Sequence, residues 1–323
     1  MVIDDIITPI LSDFKLFVKH FTEISHTDNL LFNEVDNYSH QKTGKYLRPV
    51  LTILAAKLCG EVNQSTIDAA HAIELLHTAS LIHDDVVDDT LERRSSPSVN
   101  ARWSNKIAVF YGDYIFSKSL IYGTKTNNLA ILRSISDIGA QLTDGELLQI
   151  SNGLISNTTE ENYISIIRKK TAQLFSSCAQ IGGLSVNAST KELEHLKCFG
   201  EYIGICFQIK DDIFDYYENT QIGKPTCNDL RDGKVTLPLI YALRVANESE
   251  KKKIVNWIDN KEFTLANIRT ITQFTIANGG IDYSIKRMND YMHKAILELE
   301  NFAECEVKKS LIMFAEFAAH REF

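Results

Sequence analysis

The 323-residue sequence predicts an all-α protein, and three observations carry that prediction. Proline is scarce: Pro9, Pro49, Pro97, Pro225 and Pro238 are all there is, where average usage would give roughly three times as many, and none lies between 97 and 225. Proline clashes with the preceding turn and lacks a donor, so that stretch is open to long helices. Apolar residues recur at helical spacing, as at Ile67, Ala70, Ile73, Leu76, Leu81 and Val87. Alternating runs bounded by turns, the mark of strands, are rare.

About ten helices are expected, separated by clusters of Gly, Pro, Asn, Ser and Thr. In order, the breaks fall near Gly60–Gln64, Ser95–Ser98, Lys125–Asn128, Gly153–Glu160, Gly182–Thr190, Asn219–Gly233 and Asn260–Thr264. No composition shift marks a linker and no repeat of 20 to 50 residues occurs, so 1–323 reads as a single domain forming one large helical bundle.

Composition narrows the function. Hydrophobic residues make up 44% and charged residues 24%, which excludes global disorder. The net charge of −8 argues against a broad nucleic-acid surface. No apolar run is long enough for a transmembrane segment, and Asp4 and Asp5 are wrong for the basic start of a signal peptide, so a cytoplasmic protein is expected. Cys59, Cys178, Cys198, Cys206, Cys227 and Cys305 form no C-x-x-C pair and read as reduced, mostly buried thiols.

Two acidic clusters sit in strongly apolar surroundings. In HDDVVDD, Asp84 and Asp88 are four apart and face the same way on a helix, with Asp85 beside them; DDIFD repeats the device with Asp211, Asp212 and Asp215. Like charges at that spacing repel, and burying them is costly without a cation. Magnesium suits them, because it is held by one or two carboxylates together with substrate phosphates. An EF-hand needs a different ligand layout. A solvated helix end explains either cluster alone, but explains two of them poorly.

Basic residues accompany the acids at particular places: Lys45 and Arg48 in GKYLRP, Arg93 and Arg94 after the first cluster, Lys170 beside Thr171, and Lys224 and Lys234 after the second. Arginine clamps phosphate bidentately and lysine serves as a point charge. Carboxylates, a divalent metal and such cations together make a diphosphate site. Structural salt bridging competes with this reading for Arg93 and Arg94, and Lys169 reads as a surface charge.

With these motifs in hand, the chain resembles the all-trans polyprenyl diphosphate synthases. HDDVVDD, FQIKDDIFD, GKYLRP and GKPTCNDLRDGKVTLP carry the likeness, which is nearest to the octaprenyl type and runs over nearly the whole chain, with the motifs in family order from about residue 44 to residue 238. The resemblance implies an isoprenoid-synthase bundle around a deep central cavity, a homodimer, and Mg²⁺-dependent condensation of isopentenyl diphosphate with an allylic prenyl diphosphate. It implies that Asp84, Asp88 and Asp211 bind Mg²⁺, supported by Asp85, Asp212 and Asp215, with three ions present when diphosphate is bound. It assigns Lys45, Arg48, His77 and Arg94 to isopentenyl diphosphate, and Arg93, Lys170, Lys224 and Lys234 to the allylic diphosphate. Thr171 and Gln208 would turn oxygens toward the developing cation. One departure stands out: Ser95 follows the arginine pair where the family usually has glycine.

Product length follows from what lies behind Asp84. Ala79 and Ser80 are small, where short-chain members commonly carry an aromatic plug, and Leu76 comes a turn further back. Each helical turn adds about 5.4 Å of depth, so a product longer than about twenty carbons is expected, about C40 from a farnesyl-type primer, and the resemblance alone implies that it serves quinone side chains. The alternatives are a short-chain synthase of about C15–C20, a terpene cyclase, which would not need Lys45, Arg48 and Arg94, and a non-catalytic partner subunit, which could dispense with its aspartates.

Overall fold

The computed structural model describes residues 3–21, 27–40, 44–93, 96–151, 158–217, 228–231 and 234–321. Among them the regular structure is helical apart from one isolated bridge, Glu92 to Pro97. The described residues form seventeen α-helical segments rather than about ten. Part of the excess comes from pieces of only four or five residues, Ile3–Ile7, Val99–Arg102 and Asn228–Arg231. Four expected breaks match closely: helices end at Cys59, Lys125, Ser185 and Asp259 and resume at Gln64, Leu129, Thr190 and Leu265. Asn63 shows the local reason. Its side chain accepts from Thr66 N while Thr66 Oγ1 accepts from Asn63 N, a capping box that starts the Gln64–Val87 helix.

The chain divides into two compact units. The first comprises 1–139, 177–197 and 299–314. At its centre is the Gln64–Val87 helix, buried on every side from Thr66 to Leu76 although that stretch carries Asp68, His71 and Glu74 among its apolar residues. Its small residues admit close neighbours: Ser119 Oγ donates to Ala72 O at 2.8 Å. The apolar stripe runs out at the end, where Val87 is 74% exposed. The second unit comprises 140–176, 198–298 and 315–323. The part of the Thr190–Phe214 helix that belongs to it, from Cys198 on, contributes Phe199, Ile203, Cys206 and Ile209 to the core, and a further cluster gathers around Leu239, Ile254 and Ile271. No helix among the described residues is long and apolar enough to cross a membrane.

Of the cysteines, Cys178 and Cys206 are buried and Cys305 is exposed, while Cys227 lies outside the described residues. Burial pushes the thiols of Cys59, Cys178 and Cys206 up to about 12, which leaves them protonated and inert.

Candidate active site

Each aspartate cluster ends a long helix. Asp84 and Asp85 lie in the last turn of Gln64–Val87 and Asp88 is its C-cap, its N–H bonded to Asp84 O at 2.8 Å. Asp211 and Asp212 lie in the last turn of Thr190–Phe214, and Asp215 N bonds to Asp211 O at 3.2 Å. A helix C-terminus is the negative end of its dipole, so carboxylates gathered there are unfavourable until a cation answers them.

In the first unit the buried member is Asp85, 4% exposed. Arg93 grips it: Nε lies 2.9 and 2.8 Å from its two oxygens and a terminal nitrogen 2.7 Å from Oδ1. This is the salt bridge that competed with a phosphate role for Arg93. The Asp85 backbone is also held, its carbonyl accepting from Thr90 N and from Asn100 Nδ2. Asn100 Nδ2 also reaches Thr90 O at 3.2 Å, and Ser98 Oγ donates there at 2.6 Å, so residues 98–100 brace the turn after the cluster. Asp84 is half-buried and Asp88 is exposed. His83 turns to Asp113, 3.3 Å away, on the Asn105–Lys125 helix.

A cavity of about 110 Å³ in this unit is lined by Tyr46, His77, Leu81, Asp85 and Arg93, among others. Lys45 and Arg48 flank Tyr46, which adopts the left-handed conformation at φ 50° to start the Leu47–Cys59 helix. Ser80 stands four residues before Asp84, on the same helical stripe, whereas Ala79 is turned about 140° away at 100° per residue. Ala79 and Leu76 are buried and Ser80 is half-buried.

In the second unit the buried member is Asp212, 3% exposed. Its partners are neutral: Tyr163 OH donates to Oδ2 at 2.6 Å and Gln208 Nε2 to Oδ1 at 2.8 Å. Thr171 Oγ1 in turn donates to Gln208 Oε1 at 2.7 Å. Burial, then the Asp229 charge, pushes the Asp212 carboxyl well above the usual carboxylate range, against the pull of its two hydrogen bonds. Burial and then Asp212 hold the Tyr163 phenol well above its ordinary value, so it stays a donor. Asp211 pairs with Arg321, whose guanidinium stacks 3.5 Å over the Phe207 ring. Asp215 Oδ2 accepts from Asp229 N at 3.1 Å.

Lys170 and Thr171 ride on a π-helical turn, Arg168–Ala172, inserted between the Glu160–Ile167 and Gln173–Ser185 helices. Such turns displace side chains from the helical register and recur at functional sites. The Thr190–Phe214 helix packs against this segment through two glycines: a Cβ on Gly204 would meet Ala172 Cα at 2.4 Å, and one on Gly200 the Phe175 carbonyl at 2.4 Å. Gly200, Gly204, Gln208 and Asp212 thus form one stripe, and the close approach brings Thr171 within reach of Gln208. Lys170 lies 2.5 Å from Glu146, and Lys169 pairs with Asp144 at 2.6 Å. Lys234 is half-buried, its N–H bonded to Asp229 O at 2.7 Å.

Arg94, Ser95 and Lys224 lie outside the described residues. Three residues of this region carried no signal in the sequence: Tyr163, Asn100 and Arg321 engage the clusters from 49, 15 and 110 positions away in the chain.

A family model described as Polyprenyl synthetase matches residues 29–274. The chain is 33% identical over 299 residues to the octaprenyl diphosphate synthase of Haemophilus influenzae, covering 92% of this chain and 91% of that one. A polyprenyl synthase of Caulobacter crescentus, complexed with calcium and isoprenyl diphosphate, superposes with a TM-score of 0.93 at 29% identity, covering 99% of this chain and 98% of that one. A geranylgeranyl pyrophosphate synthase of Bacteroides thetaiotaomicron superposes at 0.85 with 38% identity, covering 98% of each. The all-α fold of the chain is theirs.

Proposed function

The chain belongs to the polyprenyl synthetase family and is a transferase of trans-polyprenyl chain elongation; from that premise we propose that it extends a farnesyl-type allylic diphosphate with isopentenyl diphosphate to a product of about C40, for quinone side chains. The observation that carries this reading is the repeated aspartate cluster, each copy at the negative end of a long helix with one carboxylate buried and the others less so.

The donor chemistry fits Mg²⁺. All the ligands on offer are hard carboxylate oxygens. That suits an ion completed by phosphate and water. In this proposal Asp84, Asp88 and Asp211 hold Mg²⁺, Asp215 belongs to the outer shell, and Asp85 and Asp212 are the buried supports. Three ions accompany the bound diphosphate. Bound there, the metal neutralises charge on the leaving diphosphate.

The chain's own side chains do the rest. Lys170, Lys224, Lys234 and Arg93 take up charge on the allylic diphosphate, a preorganised electrostatic effect. Lys45, Arg48, His77 and Arg94 hold isopentenyl diphosphate. As the allylic C–O bond breaks, the isopentenyl double bond attacks the carbon, the new C–C bond forms, and a proton leaves to the released diphosphate. Thr171 and Gln208 face the cation with oxygen, and apolar walls exclude the water that would quench it. We place the whole chain in one catalytic domain, a reading supported by division points that fall inside helices and not in linkers. A homodimer is supported by Val109, Phe110, Phe116 and Ile121, exposed on the Asn105–Lys125 helix.

A short-chain product of about C15–C20 is the second reading, favoured by the 38% identity to the geranylgeranyl pyrophosphate synthase. One incubation tests both: protein, Mg²⁺, farnesyl diphosphate and labelled isopentenyl diphosphate, with chromatography of the hydrolysed products. Products beyond about twenty carbons support the long-chain reading and a stop at about fifteen to twenty supports the other, with geranyl and dimethylallyl diphosphate run as parallel primers; no extension of any primer overturns both. Ser80→Phe then shortens the product, whereas Ala79→Phe destabilises the fold by overpacking.

A further inference from the structure

We propose that the first unit holds a second cation site, apart from the aspartate clusters: His71 and Asp68, with His20 turned in beside them, bind one divalent ion of the zinc class. The inference does not rest on the function proposed above.

The site is a cavity of about 290 Å³ lined by His20, Gln64, Asp68, His71, Tyr122 and Lys125. Three helices of the first unit supply it. Leu11–Phe21 gives His20, Gln64–Val87 gives Gln64, Asp68 and His71, and Asn105–Lys125 gives Tyr122 and Lys125.

The argument starts from one imidazole. His71 is 1% exposed, yet its Nδ1 is buried without a hydrogen-bond partner. Its Nε2 lies 3.1 Å from Phe17 O. A carbonyl can only accept, so Nε2 carries the ring hydrogen and Nδ1 keeps a bare lone pair. Metal-binding histidines are prepared in this way, with the far N–H spent on a carbonyl and the near nitrogen left open. The ring is also held in place: it stacks on Phe17 at 4.9 Å and meets the Tyr122 ring edge-on at 5.3 Å.

Asp68 stands three residues before His71, so both side chains leave the same side of the helix. Helical carboxylate–histidine pairs share metal ions at that spacing. Asp68 is 7% exposed, and Gln64 Nε2 donates to its Oδ1 at 3.1 Å, which orients the carboxylate. The half-buried His20 ring is centred 6.3 Å from that of His71. Among the described residues no three such side chains are gathered in advance. Two ligands are thus preset on one rigid helix, and the third arrives by a side-chain rotation, with water completing the shell. An imidazole lone pair suits zinc, copper or nickel, whereas magnesium takes oxygen. Lys125 opposes the ion. Its ammonium lies 3.8 Å over the Tyr122 ring, and the residue is exposed, so it swings out to water when the ion enters. The bound ion would tie the Leu11–Phe21 helix to the central one, which raises stability by mass action.

The test titrates the untagged full-length protein with Zn²⁺ by calorimetry and with Co²⁺ by its visible bands. One Zn²⁺ per chain is expected, with Co²⁺ bands of mixed nitrogen and oxygen ligation and a Zn²⁺-dependent rise in melting temperature. Binding persists in the Asp84→Ala/Asp211→Ala double variant, which separates this site from the aspartate clusters. Asp68→Asn and His71→Gln each weaken it by more than about tenfold, since losing a ligand costs at least as much as losing its outer support. Asp68→Asn is nearly isosteric, so it reads the site even where His71→Gln loosens the fold. Lys125→Gln tightens binding, because a like charge is gone. The proposal is overturned if Zn²⁺ binds no tighter than about 1 mM, which leaves a water-filled cavity. Binding that survives both Asp68→Asn and His71→Gln, or that disappears in the double aspartate variant, places the ion elsewhere and overturns it too. Weaker binding in Lys125→Gln does the same, because the cavity would then take an anion.

Discussion

The two aspartate clusters share a spacing and a place at a helix end, yet their buried members are compensated differently. Asp85 faces a cation: Arg93 contacts both of its oxygens. Asp212 faces two neutral donors, Tyr163 and Gln208, and burial leaves its carboxyl raised. The outer members differ too. Asp84 and Asp88 stand over a turn braced by Asn100 and Ser98, whereas Asp211 carries Arg321 from near the end of the chain. A repeated motif therefore does not imply repeated roles, because each carboxylate's role depends on the partner that tertiary structure brings to it.

The largest expected effect tests what the clusters have in common. Asp84→Ala and Asp211→Ala should each cut turnover by about 10³-fold while leaving circular dichroism unchanged, a loss typical of removing one strong electrostatic contact to the transition state. Near-normal turnover in either would remove that cluster from the metal site.

The next effect separates the buried members. Arg93→Ala strands a buried carboxylate and should cost about 2–3 kcal/mol in urea unfolding. Asp85→Asn, which removes the charge along with its need for a partner, should cost less. If Arg93→Ala is the milder of the two, Arg93 serves substrate more than Asp85.

A pH series sharpens the contrast. The folded-state pKa of Asp212 is raised, so its contribution to stability is full below the unfolded carboxylate value near 3.8 and is lost as pH climbs through the raised folded value. Burial raises Asp68 as well, which slopes the same way, and Glu161 is lowered, which slopes the opposite way. The informative quantity is thus the difference between the wild type and Asp212→Asn, which should shift in favour of the variant as pH rises over that window. A flat difference curve would mean that Asp212 is ionised as easily in the fold as out of it.

The smallest stability effect belongs to Arg321. Asp211 is substantially exposed, so Arg321→Gln should change unfolding free energy by no more than about 1 kcal/mol. A larger change would show that the guanidinium's stacking on Phe207, rather than the ion pair, holds the end of the chain.

Much of the framework was legible beforehand, because local chemistry wrote it. The breaks at Gly60–Gln64, Lys125–Asn128 and Asn260–Thr264 depend on neighbours a few residues away. The i, i+4 aspartates declared themselves for the same reason. The π turn at Arg168–Ala172 was not legible, since an added residue in a helix leaves no compositional mark and is kept by the close approach of Gly204 to Ala172. Nor was the different burial of Ala79 and Ser80: both are small, and only the packing of neighbouring helices leaves Ala79 buried and Ser80 half-buried.

Taken alone, the sequence determined an all-α chain with two carboxylate clusters and the cations that suit a diphosphate, because helical periodicity, scarce proline and i, i+4 spacing act within a turn or two. Tertiary structure alone decided which carboxylate meets Arg93, which meets Tyr163, and which way Gln208 turns. Those choices depend on side chains up to 110 positions distant, brought together by packing that no local pattern encodes.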